Sequence, residues 1–123
     1  MGSTVKTLLV IDESAALCQS MDLLLSSYGI EVHTCRNVRE ARKLVDALSP
    51  DAYLMEAVPP ADDVIAFVGE RKVAGSCAVL LMGEGVAKAD AGGLAINSGA
   101  DGWVDKPFEA MIVLKRLRQI ASR

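Results

Sequence analysis

Short, nearly continuous apolar runs alternate along this chain with longer stretches whose apolar residues recur at helical spacing. Residues 5–11 form the first run, rich in Leu, Val and Ile, and predict a buried strand. Leu17, Met21, Leu24, Leu25 and Tyr28 follow at intervals that line one helix face, with Gly29 as the stop. Residues 31–35 predict a second strand. Asn37 and Glu40 then have the spacing of a capping box, in which two side chains satisfy the first free amides of a helix. That helix carries Ala41, Leu44, Val45 and Leu48 and ends at Pro50. Residues 52–55 predict a third strand. Val64, Ile65, Phe67 and Val68 predict a third helix, started by Asp62 or Asp63 and stopped at Gly75. The fourth strand is expected over 77–82 and the fourth helix over 86–98. Gly92 and Gly93 weaken that helix by about 1 kcal/mol each. A short strand over 102–104 and a helix over 108–121, carrying Met111, Ile112, Leu114, Leu117 and Ile120, complete the pattern.

Strands alternating with helices argue for an α/β fold, a parallel sheet covered by helices on both faces. In such folds the site lies beyond the carboxyl ends of the strands. Three of those ends carry the chemistry here. The first run ends in Asp12 and Glu13, and the third ends in Glu56, followed by Ala57, Val58, Pro59 and Pro60. The fifth, from Trp103 to Asp105, is followed by Lys106, Pro107 and Phe108. If these strands are parallel neighbours, three acids and one lysine share a pocket. A lone ammonium among acids that otherwise repel one another predicts a direct Glu56–Lys106 ion pair.

Taken together, these residues resemble the receiver domain of bacterial two-component response regulators. The likeness spans roughly residues 5–120. It rests on the ordered pieces Leu9 to Glu13, Pro50 and Asp51 six and five residues ahead of Glu56, Pro60, Ser98 to Asp101, and Lys106 to Phe108. The resemblance implies a flavodoxin-like, three-layer fold with five parallel strands in the order 2-1-3-4-5. It implies that Asp12 and Glu13, with the acid at position 56, hold Mg2+. It also implies that an aspartate at position 56 takes a phosphoryl group from a histidine kinase, that a Ser or Thr after the fourth strand bonds that group, and that Lys106 pairs with it. The Lys106–Pro107 peptide is expected to be cis, and Trp103 stands where an aromatic changes rotamer on activation.

Two positions depart from the pattern. Glu56 stands where the family has aspartate. The hydroxyl position falls on Met82 when the apolar strand is aligned, with Gly83 next; an ungapped count back from Lys106 reaches Glu84. None of the three is a hydroxyl residue. Asp51 is no substitute acceptor, because it precedes the third strand. The expectation is therefore an atypical receiver, or pseudo-receiver: a protein–protein signalling module that is not an enzyme and acts independently of phosphorylation. Its degenerate pocket comprises Asp12, Glu13, Glu56, Met82 and Lys106. No cofactor is needed if Lys106 neutralises the acids, with Mg2+ on Asp12, Glu13 and Glu56 as the alternative. The competing functions are a working phosphoacceptor that uses Mg2+ and a small-molecule-binding flavodoxin-like domain, the latter opposed by the absence of a Gly-rich first loop. The expected partner face is the fourth helix, fifth strand and fifth helix. Its occupant is expected to be a histidine kinase or a fused output domain. Trp103 has two readings, a moving aromatic or a static cap beside the fourth helix, and His33 reads as a surface residue.

Composition narrows the classes further. A chain of 123 residues with 51% hydrophobic content reads as one globular domain, residues 5–123, behind a short flexible tail at 1–4. The net charge of −3 supplies no basic footprint for nucleic acid. The basic side chains Lys115, Arg116, Arg118 and Arg123 suit a solvated helix C-terminus. Cys18, Cys35 and Cys77 are widely spaced within apolar segments, as reduced core thiols are. No apolar stretch approaches the roughly 18 residues needed to cross a bilayer, and no signal peptide is visible, so the expected setting is cytoplasmic. Met1-Gly2 is not a myristoylation signal, since Lys6 replaces the required Ser or Thr.

Overall fold

Each apolar run forms a strand because its residues alternate between two hydrophobic layers. A computed structural model describes residues 5–123; the expected tail at 1–4, with its Met1-Gly2 sequence, lies outside the described residues. The elements are β1 (Thr7–Ile11), α1 (Ala15–Ser26), β2 (Glu31–Cys35), α2 (Val38–Leu48), β3 (Ala52–Glu56), α3 (Asp62–Ala74), β4 (Ala78–Gly83), α4 (Lys88–Ser98), β5 (Gly102–Asp105) and α5 (Ala110–Ala121). All strand pairs are parallel, in the order β2-β1-β3-β4-β5. The fold is therefore flavodoxin-like, as expected.

Strand residues two apart share a face. Leu8, Val10, Ala52, Leu54, Leu80 and Val104 meet Cys18, Met21 and Leu25 of α1 and Val113, Leu114 and Leu117 of α5. Leu9, Ile11, Tyr53, Met55, Val79 and Leu81 meet α2, α3 and Leu94 of α4 on the other side. Burial on both faces is why the central strands read as unbroken apolar runs.

Helix ends follow local chemistry. Ser14 caps α1 by accepting from the Leu17 amide at 3.2 Å. Asn37 caps α2 by accepting from the Glu40 amide at 2.9 Å. The Glu40 carboxylate reaches back to the amide of Arg36 rather than to that of the cap itself, so the box is displaced by one residue. On α1 the buried face is Cys18, Met21 and Leu25, while Leu24 and Tyr28 are half exposed. This corrects the expected stripe: α1 ends at Ser26, before Tyr28, and the inward residues recur at three and four rather than at every apolar position. The fourth helix starts at Lys88, two residues later than expected, without a side-chain cap at Ala87.

Two aspartates secure the amino ends of strands, opposite the acid pocket. Asp51 accepts from the amides of Lys6 and Thr7 at 3.0–3.2 Å. Asp101 accepts from the Val79 amide at 2.8 Å and from Lys72 at 2.7 Å. No helix among the described residues is long and apolar enough to cross a membrane.

Candidate functional site

The carboxyl ends of β1, β3 and β5 deliver one residue each to a common point. Asp12 directly follows β1, Glu56 ends β3, and Lys106 directly follows β5. The Lys106 ammonium donates to Asp12 Oδ2 at 2.6 Å and to Glu56 Oε2 at 2.8 Å. Asp12 is 1% exposed, Lys106 11% and Glu56 27% at the side chain. Burial acts to lower the Lys106 pKa. The hydrogen bonds and negative charges of Asp12 and Glu56 outweigh it and hold the ammonium above its ordinary 10.5.

Asp12 is fixed from every side. Its second carboxylate oxygen accepts from the Ser14 amide at 2.8 Å, and its own amide donates to the Cys35 carbonyl at 3.0 Å. The Cys18 thiol donates to the Asp12 carbonyl at 3.5 Å, and burial first, then the Asp12 charge, pushes the thiol pKa up. Cys18 is thus an inert core thiol. Cys35, raised to about 11 chiefly by burial, is another.

Glu13 stands apart. It is exposed and lines a shallow hollow with Asp12, Glu56, Asp63 and Arg36, but makes no ion pair among the described residues. Lys106 engages one oxygen each of Asp12 and Glu56 and the Ser14 amide engages the other oxygen of Asp12, which leaves Glu56 Oε1 and the exposed Glu13 carboxylate without a hydrogen-bond donor among the described residues. Among the described residues no three His, Cys, Asp or Glu side chains are grouped to hold a metal. With Lys106 bridging Asp12 and Glu56, the oxygens left for Mg2+ are those of Glu13 and Glu56 Oε1, completed by water.

The end of β4 places Met82, Gly83 and Glu84 in three different surroundings. Met82 is paired in register with Glu56, but it is fully buried in the core cluster with Val10, Leu54, Leu80 and Leu114. The last residue of β4 is Gly83, opposite Asp105 of β5. Glu84 follows, exposed, on the rim of a groove of about 610 Å3 that also holds Glu56, Lys106, Leu17 and Phe108. Met82 thus supplies core beneath Glu56, Gly83 faces Trp103 on the other side of the sheet, and Glu84 is the residue past β4 that shares the groove with Glu56 and Lys106.

Trp103 sits over Gly83, packed against the α2–α4 side of the sheet. Its Nε1 donates to Asp105 Oδ1 at 2.9 Å, and its carbonyl accepts from Arg116 Nη1 at 2.6 Å. The Lys106–Pro107 and Pro59–Pro60 peptides are both cis. His33 pairs with Glu31 at 2.7 Å on β2, remote from these residues in the sheet. Sequence reasoning missed Ser14 and Arg116 as supports of the site. Ser14 was legible as a residue able to cap α1; Arg116 read only as part of a basic helix face.

Comparison with known proteins agrees with this geometry. The chain is 29% identical over 119 residues to the response regulator MprA of Mycolicibacterium vanbaalenii, covering 94% of this chain and 50% of that protein. It thus spans about half the length of the curated relatives it matches. Its fold superposes on a two-component response regulator from Clostridium difficile with a TM-score of 0.82 at 22% identity, covering 96% and 97% of the two chains. The chemotaxis protein CheY4 of Vibrio cholerae superposes with a TM-score of 0.81 at 22% identity, covering 95% and 99%. The response regulator receiver domain model matches residues 8–118, so the chain belongs to the receiver domain family of two-component signalling.

Proposed function

We propose that this receiver domain signals through a protein surface whose state does not depend on phosphorylation. The observation that carries the reading is the Lys106 ammonium bridging Asp12 and Glu56. An acceptor aspartate would leave room for a phosphoryl group between itself and the lysine. Glu56 carries one more methylene, which moves its oxygens by about 1 Å or more into that room. A misplacement of that size costs a nucleophile roughly 100-fold in rate. None of Met82, Gly83 and Glu84 supplies a hydroxyl to a transferring phosphoryl group, and loss of one such donor costs about 3–4 kcal/mol at the transition state. The Glu56 carboxylate places a single negative charge against Lys106, a partial counterpart of the nearly two charges of a phosphoryl group.

Receiver domains typically bind Mg2+ at the phosphorylation site. Here the lysine supplies the positive charge that would otherwise come from the metal, so neutrality of the pocket does not require Mg2+. Receiver domains act with protein partners such as kinases and output domains. The surface proposed for this chain is the α4–β5–α5 face, where Ile96 is 81% exposed and Met111 and Ile112 about half exposed. An output domain carried on the same polypeptide is the partner that the half-length match to MprA supports.

Incubation with acetyl phosphate and Mg2+, read by intact mass, tests the central claim. The expected result is an unmodified chain under conditions that label an ordinary receiver. A phosphoryl adduct on Glu56 would establish the other reading, a working phosphoacceptor.

A further inference from the structure

Gly83 ends β4 and is buried. Its φ is not positive, so the backbone itself does not demand glycine there. The surroundings do. A Cβ on residue 83 would lie 2.7 Å from Cζ2 and 2.8 Å from Cη2 of Trp103, and 3.1 Å from Val86 Cγ2. Carbon atoms in good contact stand about 3.5–4.0 Å apart, so the indole fits its present seat only because residue 83 has no side chain. The ring is tethered on the same edge through Nε1, which shares Cε2 with Cζ2, to Asp105 Oδ1 at 2.9 Å. The carbonyl of Trp103 is held from α5 by Arg116 at 2.6 Å. Trp103 thus ties the end of β4 at Gly83 to Asp105 of β5 and Arg116 of α5.

We propose that Gly83 and Trp103 form a steric lock, in which the indole fills the space left by the missing side chain and holds the end of β4 against β5 and α5 in one arrangement. The shape of the α4–β5–α5 face is then set by packing and not by the charge in the acid pocket. Trp103 is a positioning residue for that face. The signalling role of the face rests on the function proposed above; the lock itself rests on the contacts of the indole.

A double-mutant cycle tests it, reading the chain's single tryptophan. Gly83→Ala is made in the natural background and in Trp103→Ala. With Trp103 present, the added methyl expels the ring. Emission shifts to longer wavelength, acrylamide quenching rises, and Tm falls by about 4–8 °C. In the Trp103→Ala background the same substitution meets only Val86 Cγ2 at 3.1 Å, which a small shift of that side chain relieves, and leaves Tm unchanged or higher, since alanine suits a strand better than glycine. Unchanged emission and quenching in Gly83→Ala, or an equal loss of Tm in both backgrounds, would overturn the lock. If Gly83→Ala alone does not fold, the double variant carries the test: it must fold at least as well as Trp103→Ala, and failure to do so also overturns the proposal. The cycle uses no phosphoryl donor. Labelling of the natural chain by acetyl phosphate would defeat the proposed function and leave the lock standing. An additive cycle would defeat the lock and leave the charge argument standing.

Discussion

Lys106 is one ammonium serving two carboxylates, and its removal leaves the fully buried Asp12 without a counter-charge. Removing one partner from a buried pair costs about 3–5 kcal/mol, with the lower end expected here because Glu56 keeps partial access to water. Lys106→Met is therefore expected to lose about 3 kcal/mol in urea denaturation at pH 7. The pH dependence has a definite sign. The folded pKa of Lys106 is raised above 10.5, so its stabilisation is complete below that value and is lost as pH rises through the higher folded value. The gap between the natural chain and Lys106→Met should stay constant from neutral pH to about 10 and close at more alkaline pH, as followed by denaturation midpoints. A second prediction concerns restoring the acceptor. Glu56→Asp alone should stay unlabelled by acetyl phosphate. Adding Met82→Thr should not help, because it places a hydroxyl in the core at a cost of about 2–4 kcal/mol. Adding Gly83→Thr with Trp103→Ala, which makes room for the new side chain, should give the strongest labelling by intact mass. Equal labelling of the combinations carrying Met82→Thr and Gly83→Thr would show that strand register does not decide where the donor stands. The acids and the lysine were legible in the sequence because each closes or directly follows an apolar run. The surroundings of Met82, Gly83 and Glu84 were not, since a shift of one residue exchanges the two faces of a strand. The seat of Trp103 was likewise hidden, because it depends on a contact between β4 and β5 that no local pattern encodes.

At the scale of elements, α4 is the weak member of the set. It has no side-chain cap, and Gly92 and Gly93 lie in its interior. A Cβ at either position would meet nothing within 4 Å. Gly92→Ala is therefore expected to stabilise the domain by about 1 kcal/mol, a rise of roughly 3–5 °C in Tm measured by calorimetry. A fall would mean that the glycine pair serves a contact not made within this chain. The ten elements themselves were readable because two periods, two and 3.6, alternate without interruption. Their ends were less so. β4 runs one residue past its apolar core to Gly83, and α5 begins at Ala110 because Pro107 to Glu109 form its entry loop. On α1 the apolar residues exceed what one face buries, and spacing alone did not say that Leu24 and Tyr28 point outward.

For the whole molecule, the ion triad and the indole seat act at one end of the sheet while Asp51 and Asp101 bind its other end. Titration with Mg2+ in a calorimeter is expected to give no saturable heat for the natural chain. A clear binding isotherm would show that the metal displaces Lys106 from Asp12. The arrangement of the outer strands has a different consequence, for what the protein does when concentrated. β2 and β5 are the open edges of the sheet, and an open edge invites strands from other molecules. β5 is only four residues long, and one of its carbonyls is already occupied by Arg116. β2 carries Glu31, His33 and Thr34 among its five residues, with the first two paired to each other. Neither edge offers a long apolar ladder to extend, so cross-strand aggregation is discouraged from both sides. Neighbouring molecules are left to meet through helices and side chains, where contacts are reversible and choice of partner can be encoded.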